Sequence, residues 1–148
     1  MRRIIAALLA FFPLLATSCS RKVEAKTRED QESYFQAVFE FDAPSTIAEI
    51  RYMDVYQRNL LDGVYGQWLR CSYDKNVFER ILKERAYRLC TSGLYCDVQP
   101  EWWPKEVSPK VALYTREQRS KSGAASFQEY LWHDKNSNYI YFYKIQGF

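Results

Sequence analysis

The chain has 148 residues, the length of a single domain, and its 47% apolar and 26% charged side chains are those of a folded globular protein. Its formal charge is +3, but Arg2 and Arg3 sit in a leader segment, and without them nineteen basic side chains face eighteen acidic ones, a net of +1. That balance gives no electrostatic case for a nucleic-acid partner. Aromatic residues make up 17%, with twelve Tyr and four Trp, enough to fill a core and to furnish a binding surface.

The chain opens on "MRRIIAALLAFFPLLATSC", in which Arg2 and Arg3 form a positive n-region and Ile4 to Leu15 an apolar h-region. The run is short of the roughly 20 residues that a membrane-spanning helix needs, and Pro13 disfavours a long regular helix. Thr17 and Ser18 then precede Cys19, while Ala16 and Ser18 also satisfy the small-x-small rule of ordinary secretion. In its small residues before a cysteine the segment resembles a bacterial lipoprotein signal, although Ala16 stands where lipoboxes usually carry Leu. The resemblance implies cleavage before Cys19, a diacylglyceryl group on its thiol and an acylated amino group, several chains together making a stable anchor. By resemblance to enterobacterial sorting rules, Ser20 after the cysteine, where Asp would retain the protein, implies the periplasmic face of the outer membrane. Residues 1–18 are then the signal, and residues 19–33 a lipidated N-terminus followed by a polar tether, "SRKVEAKTREDQES", too poor in apolar groups to order itself. Residues 34–148 form one domain.

"SYFQAVFEF" puts Phe35, Ala37, Phe39 and Phe41 on one face at period two and reads as a strand. Residues 46–59 fit either a capped helix or a strand. Asp62-Gly63 is a hairpin turn signal, and a hairpin needs a partner before the turn, which favours a strand over Glu49 to Gln57. Val64 to Tyr73 alternates, with Tyr65, Leu69 and Cys71 opposite Trp68.

"DKNVFERILKERAYRL" is the main helix: Asp74 caps it, and Val77, Phe78, Ile81, Leu82 and Leu89 make an apolar stripe, with Glu79 and Lys83 as a supporting pair. "DVQPEWWPKEVSPK" holds three of the five prolines and reads as a loop presenting Trp102 and Trp103. "QRSKSGAAS" is a second loop. "FQEYLWHD", "KNSN" and "YIYFYKIQ" make a closing hairpin. The expected fold is therefore α+β, an antiparallel sheet of about five strands with one main helix on a face. The overall pattern looks like that of small bacterial envelope proteins.

Export places the cysteines in an oxidising compartment. With Cys19 acylated, Cys90 and Cys96 bracket the short loop "TSGLY" and are the preferred disulfide, with Cys71 a buried hydrophobe; pairing of Cys71 with either is the alternative. His133 is the only histidine, so no zinc set forms and no metal or other cofactor is expected. It reads as a surface turn residue, and a Cys71–His133 dyad is the only conceivable nucleophilic pair. Glu101 is a single acid without a partner, too little for glycoside chemistry.

The sequence thus points away from catalysis and toward binding. Trp102 and Trp103 either fold back as core or are displayed by a proline-stiffened loop to a partner, with the tyrosines of the last strand widening the patch. The expected role is a membrane-anchored lipoprotein that binds a protein in the periplasm, as an immunity protein or an inhibitor of a toxin or wall-degrading enzyme. An accessory subunit of an envelope secretion or assembly complex and a glycan-binding module are the alternatives.

Overall fold

A computed structural model describes residues 19–58, 63–91, 94, 99–107, 110–119 and 126–147. The fold is α+β, a seven-stranded antiparallel open sheet with two helices. In chain order the elements are β1 (Cys19–Glu24), α1 (Arg28–Phe39), β2 (Ile50–Arg58), β3 (Gly63–Ser72), α2 (Lys75–Glu84), β4 (Arg88–Leu89), β5 (Leu113–Arg119), β6 (Ser126–Asp134) and β7 (Tyr139–Gly147). The strands lie in the order β1-β2-β3-β7-β6-β5-β4. The free edges, β1 and the part of β5 beyond β4, carry Arg21, Lys22, Glu24, Arg116 and Glu117, charges that discourage edge-to-edge pairing.

The expected five strands and one main helix become seven strands and two helices, and several local expectations need correction. The strand expected over Ser33 to Phe41 is the second half of α1. Phe35, Val38 and Phe39 meet one core at helical spacing, a pattern that overlaps period two at Phe35 and Phe39. The tether expected over residues 20–33 is instead β1 and the first half of α1. Thr27 caps α1 by accepting from the Asp30 N–H, Glu29 and Asp30 favour its first turn, and Glu40 closes it in the left-handed region at φ 67°. The main helix ends at Glu84, and Ala86 at φ 53° turns the chain into β4, so Leu89 leaves the stripe and is 64% exposed. Asp74 does cap α2, accepting from the Asn76 and Val77 amides, but the supporting ion pairs are Lys75–Glu79 and Arg80–Glu84.

β2 and β3 pair from Ile50–Cys71 to Arg58–Gly63, as the hairpin reading requires; Asp62 of the turn signal lies outside the described residues. The closing hairpin β6–β7 is bent by Asp134, whose carboxylate accepts from the Asn136 N–H and the Ser137 hydroxyl, and by Asn138 at φ 58°.

Two cores flank the sheet. On one face α1 and α2 cover Ile50, Tyr52, Leu69, Cys71, Leu131, Ile140 and Phe142, with Phe39 edge-on to Phe142 at 5.5 Å. On the other, the 99–107 loop covers Met53, Trp68, Tyr130, Trp132, Tyr141 and Tyr143. Trp68 stacks on Tyr143 and lies back over Gly66, where an added Cβ would stand 2.4 Å from the indole. Gly66 is therefore the space that the ring needs.

Candidate functional site

Strand register sorts the helix-bearing face into rows. Ile50, Cys71, Ile140 and His133 form one row; Tyr52, Leu69, Phe142, Leu131 and Tyr114 form the next. Both are largely apolar, and the helices cover them. The third row, Asp54, Gln67, Lys144, Glu129 and Arg116, is polar on all five strands that it crosses. The fourth runs Tyr56, Tyr65, Gln146, Phe127 and Gln118. Its members are partly or fully exposed. Half of this face is therefore a polar platform with aromatic rings set into it.

Two networks hold the platform. At the β2–β3 side Gln67 Nε2 donates to the Tyr52 and Tyr65 hydroxyls at 2.9 and 2.6 Å, and both hydroxyls donate to Asp54 Oδ2 at 3.3 and 3.4 Å. Tyr34 of α1 stacks on Tyr52 at 4.0 Å. Burial, with the nearby Asp54 charge adding to it, raises the Tyr65 phenol above its ordinary value, so it stays a neutral donor.

At the β5–β6 side Glu129 is only 1% exposed. Its carboxylate accepts from the Tyr87 hydroxyl at 2.9 Å and from Arg85 Nη2 at 3.3 Å, with Arg116 Nε at 3.5 Å and Lys144 Nζ at 3.9 Å. Arg85 also donates to the Val38 carbonyl, joining the end of α2 to α1. Burial lowers the Lys144 pKa, with Glu129 pulling the other way. Lys144 also lies over the Phe127 ring at 4.4 Å. A carboxylate this buried is tolerated because three cations and a phenol surround it.

Of the two placements that the sequence leaves open for Trp102 and Trp103, folded back as core or displayed, the structure shows the inward one. Trp103 is 5% exposed and packs edge-on against Trp132 at 5.2 Å and Tyr141 at 5.3 Å. Trp102 is half-buried, its indole N–H buried and without a partner, its carbonyl accepting from Arg70 and its ring facing the Arg70 guanidinium at 5.8 Å. Tyr141 and Tyr143 are buried as well. The reason is arithmetic of surface: the aromatic face has no helix over it, and the loop's indoles supply the missing cover. Arg70 anchors this cover, donating to Glu49 at 2.6 Å and stacking on Tyr139 at 4.2 Å. The hydrogen bond from Tyr139, opposed by desolvation and aided by Arg70, holds Glu49 below its ordinary carboxyl value.

His133 lies in β6 and not in the turn. It stacks flat on Tyr73 at 3.5 Å, its Nε2 is buried without a partner, and desolvation lowers its pKa. In register Ile140 stands between it and Cys71. Cys71 is a free, fully buried thiol whose pKa burial pushes far up, which removes its nucleophilic character. No disulfide occurs among the described residues; Cys96, and with it the expected Cys90–Cys96 pair, lies outside them. No group of His, Cys, Asp and Glu among the described residues has the makings of a metal site. No helix among them is long and apolar enough to cross a membrane.

Sequence reasoning missed the platform. Its signal is present in each strand, where inward positions change from Leu69 to Gln67, from Phe142 to Lys144 and from Leu131 to Glu129. Only the register shows that these changes fall in one row. Compared with known proteins, the chain matches no family model, no curated protein and no solved structure.

Proposed function

We propose that this chain is an envelope lipoprotein, anchored through Cys19, that acts by binding a protein on the polar half of its helix-bearing face, as an immunity protein or inhibitor does. The observation that carries this reading is the pair of polar rows that crosses five strands, the fourth of them partly or fully exposed along its length. An exposed row of a sheet is normally solvated by short, mixed polar groups. Here it carries Tyr56, Tyr65 and Phe127 beside paired charges, the aromatic and hydrogen-bonding mixture of protein interfaces.

Anchoring fits the same surface. Cys19 begins β1 opposite Arg58, and Arg21 stands opposite Tyr56, so the first residue of the strand lies at the polar end of the sheet. An acyl group there holds the platform close to the bilayer, with β1 itself as the only spacer. A periplasmic partner reaching the membrane surface meets the platform directly. The partner-binding role passes from Trp102 and Trp103, which serve the second core, to Tyr65 and its neighbours.

The test is affinity capture from envelope extract of the native host, with the chain purified in its acylated form. Wild type retains a partner that Tyr65→Ala loses, while Trp102→Ala keeps it. Equal capture by Tyr65→Ala and wild type overturns the surface, and an intact mass without acyl chains on Cys19 overturns the anchor.

A further inference from the structure

We propose that the groove at the β5 edge, beside the platform, is an anion-recognition site that receives a carboxylate side chain from the bound protein. The assignment of the ligand rests on the protein-binding reading above; the site itself rests on geometry.

β4 is only two residues long, because Ala86 in the left-handed region diverts the chain before it and Cys90 follows it. β5 runs on past its end. The space left is a groove of about 710 Å³ whose walls include Arg85, Arg88 and Arg116 against a single acid, Glu117. The three arginines are held at different tensions. Arg85, 9% exposed, spends its Nη atoms on the Val38 carbonyl and Glu129, and its buried Nε has no partner. Arg116 is braced by the Arg85 carbonyl at 3.4 Å and by Gln118 Oε1 at 2.8 Å. Arg88 is exposed and makes no ion pair among the described residues.

Arg85, Arg88, Arg116 and Lys144 bring four positive charges to this cluster against three acids, Glu129, Glu117 and Glu40. The one Glu129 carboxylate is shared among Arg85, Arg116 and Lys144, and the other acid near Arg85, Glu40 at 3.9 Å, is 79% exposed and so is screened by water. Positive charge is left over at the groove, and the exposed Arg88 carries it on a fork whose planar donors match a carboxylate in two-point contact. A glutamate or aspartate on the partner fits, reaching in beside the platform while the rest of the interface lies on the polar rows.

The test uses three probes on the folded, delipidated domain: a blocked hexaglutamate peptide, a blocked hexaglutamine peptide and inorganic phosphate. Arginine Nε–Hε resonances are followed by NMR. Hexaglutamate should shift the Arg88 and Arg116 signals saturably, and raising NaCl from about 50 to about 500 mM should weaken it. Arg88→Ser, an exposed position that leaves the fold intact, should weaken it about fivefold. Equal response to hexaglutamine, tighter binding of phosphate, an Arg88→Ser variant that binds as wild type does, or no saturable shift would each overturn the assignment. Partner capture reports separately: retained capture with no peptide response removes this site and leaves the protein-binding reading in place.

Discussion

On the loop-covered face the row Met53, Trp68, Tyr143 and Tyr130 is aromatic or apolar from β2 to β6, its neighbours give way to polar side chains only at Arg51, Arg70 and Gln128, and two indoles from an irregular segment seal the patch. On the helix-covered face the apolar rows stop halfway, and a hydrogen-bonded and charged platform takes up the remaining width. The first face shows what this sheet does when it needs only burial: it recruits whatever aromatic surface the chain has left. The second has two amphipathic helices available and still leaves half its width polar. Burial alone does not require that division, and it is the reason for placing function on the helix side.

The comparison breaks first at Trp103. Trp103→Ala empties the centre of the loop-side core and should cost about 3–5 kcal/mol in urea unfolding, whereas a displayed residue would cost next to nothing. Glu129→Ala removes the anion that Arg85, Arg116 and Lys144 share and should cost about 3 kcal/mol, because the buried Arg85 and two part-buried cations are left uncompensated. The loss is measurable by the same method. Gly66→Ala drives a methyl into the Trp68 indole and should cost about 1–3 kcal/mol, sharpening the point that the loop-side face is packed to its backbone. By contrast, Tyr65→Ala on the platform should change stability by only about 1 kcal/mol.

The smallest effect is a pH dependence. Glu49 has a folded pKa below its ordinary 4.5, because Tyr139 donates to it and Arg70 lies beside it. Its contribution to stability is present above the unfolded value and is lost as pH falls through the folded one. Tyr139→Phe raises the folded value toward the unfolded one, so the variant should lose less stability than wild type between neutral pH and about pH 3. Identical acid-unfolding profiles for the two proteins would show that the Tyr139 hydroxyl does not hold the Glu49 carboxyl down.

How much of this was legible depends on the range of each signal. The β2–β3 and β6–β7 hairpins were readable because each is local: alternation on two arms and a polar turn between them. The Asp74 cap was readable for the same reason. Ser33 to Phe41 was not, because Phe35 and Phe39 fit either period, and the deciding cap, Thr27 with Asp30, lies in a polar stretch that reads as tether. β1, β4 and β5 carry charged, edge-type sequences whose only evidence is a neighbour in space. The tryptophan loop was legible as a loop, but its direction depends on the size of a sheet face that no local pattern reports. The platform needs five strands in register before its polar positions align, so it could not be seen one strand at a time.

Site-specific photocrosslinking in the native envelope tests the central claim most directly. With p-benzoylphenylalanine replacing Tyr65, the account predicts one discrete adduct to a single protein, and none when the same probe replaces Trp102. An adduct formed from position 102 and absent from position 65 would contradict it, and would return the binding surface to the loop.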